Sequence, residues 1–394
     1  MSDKEFSRQT EILYKGAYIK GRRDKPETPP IYLTTAFNVE DLDDLQSVYD
    51  VKGYAYNRIK NPNRDTLSEL ITYLESGEDS IIFSSGMAAI STAVLALIEG
   101  GDHILSDIKL FGETIELFSM VLPKYGIEVT YVDFSDHEAI QKAVKSNTKV
   151  FYTETVSNPM ITVIDIEAVA EVAHRNHAKL VVDNTFTTSL VIKPLEKGAD
   201  VCVNSLTKFA NGHSDALAGS LTASKEIVKK AYDLQVLLGS TIDPFTAWMV
   251  QRGIRTMDIR VQRQLDNAEK LATALEANPH VIKVHHPSLE SHPQHHLAKR
   301  IFKNGSCGIL SFVMPDGKDK INAFMRKLSI VHYAMTLGGY RTTLSHPVLS
   351  SHHMVPEAVR RKMGITFGLM RVSVGIENPD DLIADFNRAL EVFK

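Results

Sequence analysis

Residues 179–208 read KLVVDNTFTTSLVIKPLEKGADVCVNSLTK. Two β-rich apolar runs, KLVVDNT (179–185) and DVCVNSL (200–206), each end in polar residues beside turn signals. Runs of the same kind precede them: SIIFSS (80–85), HILSD (103–107), EVTYVD (128–133) and KVFYTET (149–155). Between the runs lie apolar-periodic segments such as ETIELFSMVLPKYG and IEAVAEVAHRNH. Strands alternating with helices predict an α/β fold, a mainly parallel sheet covered on both faces. Ligands of such sheets bind beyond the carboxyl ends of the strands, which is where the informative residues of this chain cluster.

Working outward, residues 1–60 read as an extended arm, with Pro26, Pro29 and Pro30, little helical periodicity and the aromatic segment GYAYNR. An arm without its own core is expected to pack on something else, often a neighbouring subunit. The large domain spans 61–245, and a single long helical stretch over about 245–280 leads out of it into a smaller α+β domain over 246–394. That domain carries the runs VIKVHHP, GILSFVM, SIVHYAM and LMRVSVG. The histidine-rich stretch HHPSLESHPQHHL matches no zinc spacing and reads as a solvated turn, so no metal is expected.

With 394 residues the chain is long enough for two domains. Its 48 acidic and 44 basic residues are well mixed, and no basic block points to nucleic acid or a membrane surface. No apolar run approaches the ~20 residues of a membrane helix. The polar start MSDKEFSRQTEILYKG lacks the apolar core of a signal peptide, and Cys202 and Cys307 sit in apolar stretches as buried small hydrophobes. A soluble, cytoplasmic protein is expected.

Lys208 closes Asn204-Ser205-Leu206-Thr207-Lys208 at the end of a buried strand. There a lysine can be desolvated enough to act as an amine nucleophile on an aldehyde. A surface lysine after a strand is the plain alternative. Ser205 and Thr207 alternate with Leu206, so both hydroxyls can face one side as donors to a phosphate. Asp183 ends another apolar strand; alone it would more often cap a helix, but beside a Schiff-base lysine it can keep a pyridine nitrogen protonated. Ser85-Gly86-Met87, a small-residue turn entering a helix, offers backbone N–H groups and a helix dipole to a phosphate. Phosphate cradle, pyridinium aspartate and lysine together match the demands of pyridoxal 5′-phosphate (PLP).

From PPIYLTTAF through SLTKFANGHSD to LMRVSVGIENPDDL, the chain resembles the Cys/Met metabolism, or γ, family of PLP enzymes. That family includes cystathionine γ-synthase, cystathionine γ- and β-lyases, methionine γ-lyase and the homoserine-ester sulfhydrylases. The resemblance implies the fold-type I transferase architecture, a homotetramer of catalytic dimers, a small amino-acid substrate, and γ-replacement or γ-elimination. It implies that Lys208 holds PLP and shuttles protons, that Asp183 pairs with the ring nitrogen and that Asn158 contacts the ring hydroxyl. By the same resemblance Ser85, Gly86, Met87, Ser205 and Thr207 bind the phosphate, Tyr56 and Arg58 reach it from the neighbouring subunit, and Arg371 clamps the substrate carboxylate.

Two positions depart from the family pattern. Phe111 stands where most members carry a tyrosine; it keeps the stacking but has no proton to give, which favours acyloxy over thiolate leaving groups. Arg341, in the segment Thr336-Leu337-Gly338-Gly339-Tyr340-Arg341, stands where cystathionine-handling enzymes tend to carry glutamate. Together with Phe111, Thr336 and Leu337 it resembles the O-succinylhomoserine sulfhydrylase branch. Arg341 could attract a distal carboxylate, Glu113 a distal cation, or the two could pair with each other.

Overall fold

The computed structural model describes residues 6–19, 24–48, 53–353 and 357–394. A seven-stranded sheet is built from β1 (Asp79–Phe83), β2 (His103–Asp107), β3 (Glu128–Val132), β4 (Thr148–Glu154), β5 (Lys179–Asp183), β6 (Val201–Asn204) and β7 (Gly219–Ala223), in the order β1-β7-β6-β5-β4-β2-β3. The neighbours from β3 to β6 run parallel, while β7 is antiparallel to both β6 and β1. The predicted mainly parallel sheet is therefore present with one reversed strand. That strand, GSLTA, lacks the β-branched run that marks its neighbours.

Both faces of this sheet are apolar. On β4, Val150 and Tyr152 enter one hydrophobic cluster and Phe151 another; on β5, Val181 joins the first and Leu180 and Val182 the second. With helices on each side, the alternation of side chains leaves only the strand ends for polar chemistry.

The second sheet holds β8 (Lys283–His285), β9 (Ile309–Val313), β10 (His332–Tyr333), β11 (Thr343–Ser345) and β12 (Leu369–Ser373), in the order β10-β11-β12-β9-β8. Its own core gathers Phe312, Phe324, Leu344, Met370, Val372 and Phe386.

Three expectations are corrected. The connecting stretch is two helices, Pro244–Ile254 and Met257–Glu276, broken at Arg255-Thr256. At the break the buried Arg260 guanidinium donates to the carbonyls of Phe209, Ala210 and Gly253, stapling the segment after Lys208. The arm is not wholly extended, since Arg8–Tyr14 and Leu42–Ser47 are helical; its residues 1–5, 20–23 and 49–52 lie outside the described residues. The histidine-rich stretch is not solvated. His285, His286, His292 and His295 are buried, and three of them bond to main-chain carbonyls, His286 to Cys307, His292 to Ile161 and His295 to Pro287. Burial holds His285, His286 and His292 largely neutral, each pushed down to about 4. Among the described residues no group of three metal-ligating side chains is assembled. No described helix is long and apolar enough to cross a membrane.

Candidate active site

The carboxyl ends of β4, β5 and β6, the turn after β1 and the middle of β12 surround a cavity of about 430 Å³. It is lined by Ser85, Gly86, Met87, Phe111, Glu113, Asn158, Asp183, Ser205, Thr207, Lys208, Thr336, Leu337 and Arg371, so thirteen sequence-predicted residues that are far apart in the chain meet in one place.

The phosphate cradle forms where β1 turns into the helix Gly86–Leu95. Ser85 is its N-cap, and Ser85 Oγ accepts from Ala88 N at 3.1 Å. The N–H groups of Gly86 and Met87 open the helix, where main-chain donors have no intrahelical acceptor. A Cβ on Gly86 would lie 2.7 Å from Ser205 Cβ and 2.9 Å from Ser205 Oγ, so a side chain there would fill the space between the two candidate phosphate loops. Thr207 Oγ1 accepts from Ala218 N at 3.0 Å, tying its loop to the start of β7.

Lys208 follows β6 by four residues. Burial lowers its pKa, the Arg371 charge lowers it further, and Glu113 works against both, so the amine gives up its proton more readily than an exposed lysine. The loop at 336–341 backs this segment: a Cβ on Gly338, whose φ is +76°, would lie 2.5 Å from Phe209 N. Asp183 ends β5 and accepts from Thr185 N at 2.9 Å. Burial raises its pKa against that hydrogen bond, so its anionic form is best satisfied by a nearby cation. A ring N–H⁺ meets that demand, and with the Gly86–Ser205 cradle the donor set fits PLP.

Arg371, buried in β12, donates from Nη1 to Asn158 Oδ1 at 3.0 Å, while its Nε is buried without a partner. Burial lowers its pKa to about 10, still protonated at neutral pH. A buried cation with an unpaired N–H suits a carboxylate.

Three predicted residues stand elsewhere in this chain. Tyr56 and Arg58 lie on the exposed arm, Arg58 over the Tyr56 ring at 5.6 Å and bonded to Val236 O at 2.5 Å; neither lines the cavity. Arg341 is exposed, stacks over the Tyr340 ring at 5.3 Å and does not line the cavity either. Its motif runs along the rim, but the side chain turns outward, and among the described residues it makes no ion pair with Glu113.

Sequence reasoning missed Glu154, Thr185, Leu217, Met335 and His353 among the lining residues. Glu154 had a readable signal: it ends an apolar strand just as Asp183 does. It is buried and accepts from Phe111 N at 2.7 Å.

The comparisons with known proteins agree with this assembly. The profile of the Cys/Met metabolism PLP-dependent enzyme family matches residues 10–391. The chain is 37% identical over 367 residues to an L-methionine gamma-lyase of Fusobacterium nucleatum subsp. polymorphum, covering 92% of this chain and 93% of that one. It is 40% identical over 340 residues to a cystathionine gamma-lyase of Bacillus subtilis (strain 168), covering 86% and 89%. The solved cystathionine gamma synthase of Xanthomonas oryzae pv. oryzae, in complex with aminoacrylate and cysteine, superposes with a TM-score of 0.94 at 31% identity over 99% of both chains. By its motifs, its cavity and its relatives, this chain belongs to the Cys/Met metabolism family of PLP-dependent enzymes.

Proposed function

We propose that the enzyme acts at Cγ of a small amino acid of sulfur metabolism whose γ-substituent is uncharged and leaves readily, an acetyl-type ester of homoserine before all, with sulfide or a small thiol as acceptor. The observation that carries this reading is Phe111, which lines the cavity without a hydroxyl, so no phenolic proton is available there to a departing thiolate. Charge supports an uncharged substituent. With Arg341 turned outward, Arg371 and Lys208 are the arginine and lysine of the cavity, and both have other work; among the described residues of this chain a succinyl carboxylate would find no such partner of its own.

The roles follow from position. Bound PLP supplies an electron sink for the charge that develops at Cα. Lys208 Nζ would hold its aldehyde and, once displaced by the substrate amine, take the α-proton. Asp183 would hold the ring nitrogen's proton, Ser85, Gly86, Met87, Ser205 and Thr207 would bind the phosphate, and Asn158 would orient the ring hydroxyl. Arg371 would clamp the α-carboxylate, which aims the Cα–H bond at the amine. Tyr56 and Arg58, on an exposed arm, would complete the phosphate site of a second copy, within a homotetramer of catalytic dimers. A cytoplasmic setting suits a chain of this composition.

A second reading, methionine or homocysteine γ-lyase, is favoured by the relatives named above and by Leu217, Met335 and Leu349, apolar side chains that would receive a methylthio group. The experiment is a panel of O-acetylhomoserine, O-succinylhomoserine, methionine and cystathionine, each with and without sulfide, read as 2-oxobutanoate and thiol product. The O-acetyl ester should turn over fastest; methionine well above it would replace the first reading with the second, and pyruvate as main product would discard both.

A further inference from the structure

The strands β4 and β5 pair in parallel with Glu154 opposite Asp183, so the two carboxylates stand side by side at the same end of the sheet and both line the cavity. Glu154 is 6% exposed. The one described hydrogen bond to its carboxylate comes from the main chain: Phe111 N donates to Glu154 Oε1 at 2.7 Å. Phe111 is the residue before the helix Gly112–Glu116 and carries no side-chain cap, so this bond from another strand is what ties the N–H of the segment presenting its ring to the cavity.

We propose that Glu154 is a positioning residue of the site, whose side chain acts as a hydrogen-bond acceptor and not as an anion, fixing the main chain at Phe111 and thereby the ring that covers the cofactor pocket. The proposal rests on the reading of Asp183 as partner of the PLP ring nitrogen. That nitrogen provides one positive charge at this end of the sheet, and Asp183 takes it. The charged groups that face Glu154 are Asp183 on β5 and Asp107 on β2, both acidic, and no cation is paired with it among the described residues. Arg371 and Lys208 line the same cavity but are not paired with Glu154, and two carboxylates side by side in a buried wall disfavour each other's ionisation, so the one without the ring nitrogen as partner holds its proton. Burial, then the charge of Asp183, push Glu154 well above the usual carboxylate range, the Phe111 N–H acting weakly the other way. A neutral acid with its carbonyl oxygen toward Phe111 N and its proton on the other oxygen satisfies both neighbours.

The test compares holoenzyme variants Glu154→Gln, Glu154→Asp and Glu154→Leu by kcat/KM and by the circular dichroism of the bound-cofactor band, which reports how the ring is set. Glutamine keeps the acceptor without a charge and should stay within about twofold of the parent in both readouts. Leucine removes the acceptor, and aspartate withdraws it by one methylene while keeping an ionisable carboxyl; each should lose about tenfold in kcat/KM and diminish the dichroic band. Glutamine falling as far as leucine, or aspartate retaining activity that glutamine loses, would overturn the proposal, because either result makes the charge the working feature. If leucine prevents folding, the glutamine–aspartate pair still decides. A parent protein without the visible band would strike at Lys208 and Asp183 themselves, and would take this proposal down with them.

Discussion

Arg371 Nη1 and Asn158 Oδ1 lie 3.0 Å apart, so the cation of the small sheet is held by a residue of the turn that follows β4 in the large one. The cavity is thus closed by a cross-domain hydrogen bond that aims a guanidinium before any substrate arrives. Asn158→Ala removes this aim. The expected outcome is a KM for the amino acid raised about tenfold with a smaller fall in kcat, since a hydrogen bond to a charged group is lost. A change confined to kcat would place Asn158 with the cofactor alone.

Arg371→Lys keeps a positive charge in β12 and discards the planar fork. Its kcat/KM should fall about a hundredfold, because a point charge on a shorter donor set cannot match a carboxylate bidentately. Steady-state kinetics with one amino-acid substrate are sufficient, and activity near the parent level would argue that the carboxylate binds elsewhere.

Phe111→Tyr introduces a phenol into the cavity, where by the proposed mechanism the leaving group departs. Turnover of thioether substrates should rise relative to homoserine esters, by an amount in the range of about tenfold or more that general acids contribute. The ratio of methionine to O-acetylhomoserine turnover in parent and variant is the measurement.

Glu154 also makes a prediction about stability and pH. Burial and the neighbouring Asp183 charge hold its folded-state pKa well above the ordinary carboxylate range, so above that range the unfolded chain is ionised while the folded one keeps its proton. The associated stability is fully present below the unfolded pKa and is lost as pH rises through the folded one. Glutamine does not titrate. The Tm of Glu154→Gln relative to the parent should therefore climb between about pH 5 and about pH 8. A constant difference across that range would mean that Glu154 is ionised in the folded protein.

Much of this site was legible because of how a doubly covered sheet is written. Val181, Val182, Val201 and Val203 leave no room for polarity until the strand ends, so Asp183 and Lys208 stand out in the sequence. Glu154 obeys the same rule, ending an apolar strand as Asp183 does, and went unread beside it. Strand β7 was hidden for a different reason: Gly219 sits where any Cβ would lie 2.2 Å from Ser85 O, and the small residues that this approach demands carry no β signal. Arg341 shows that a motif fixes the path of a main chain and not the direction of a long side chain. The histidines of 285–297 read as polar by type, yet carbonyl partners such as Cys307 O and Ile161 O let them be buried.

Lys208 is the proposed cofactor-binding lysine, on which every other assigned role depends. Reduction of the PLP-loaded enzyme with borohydride, followed by peptide mass mapping, should find the pyridoxyl mass on the peptide containing Lys208, and Lys208→Ala should take up no label while remaining folded. Label on a different lysine, or full labelling of Lys208→Ala, would contradict the account.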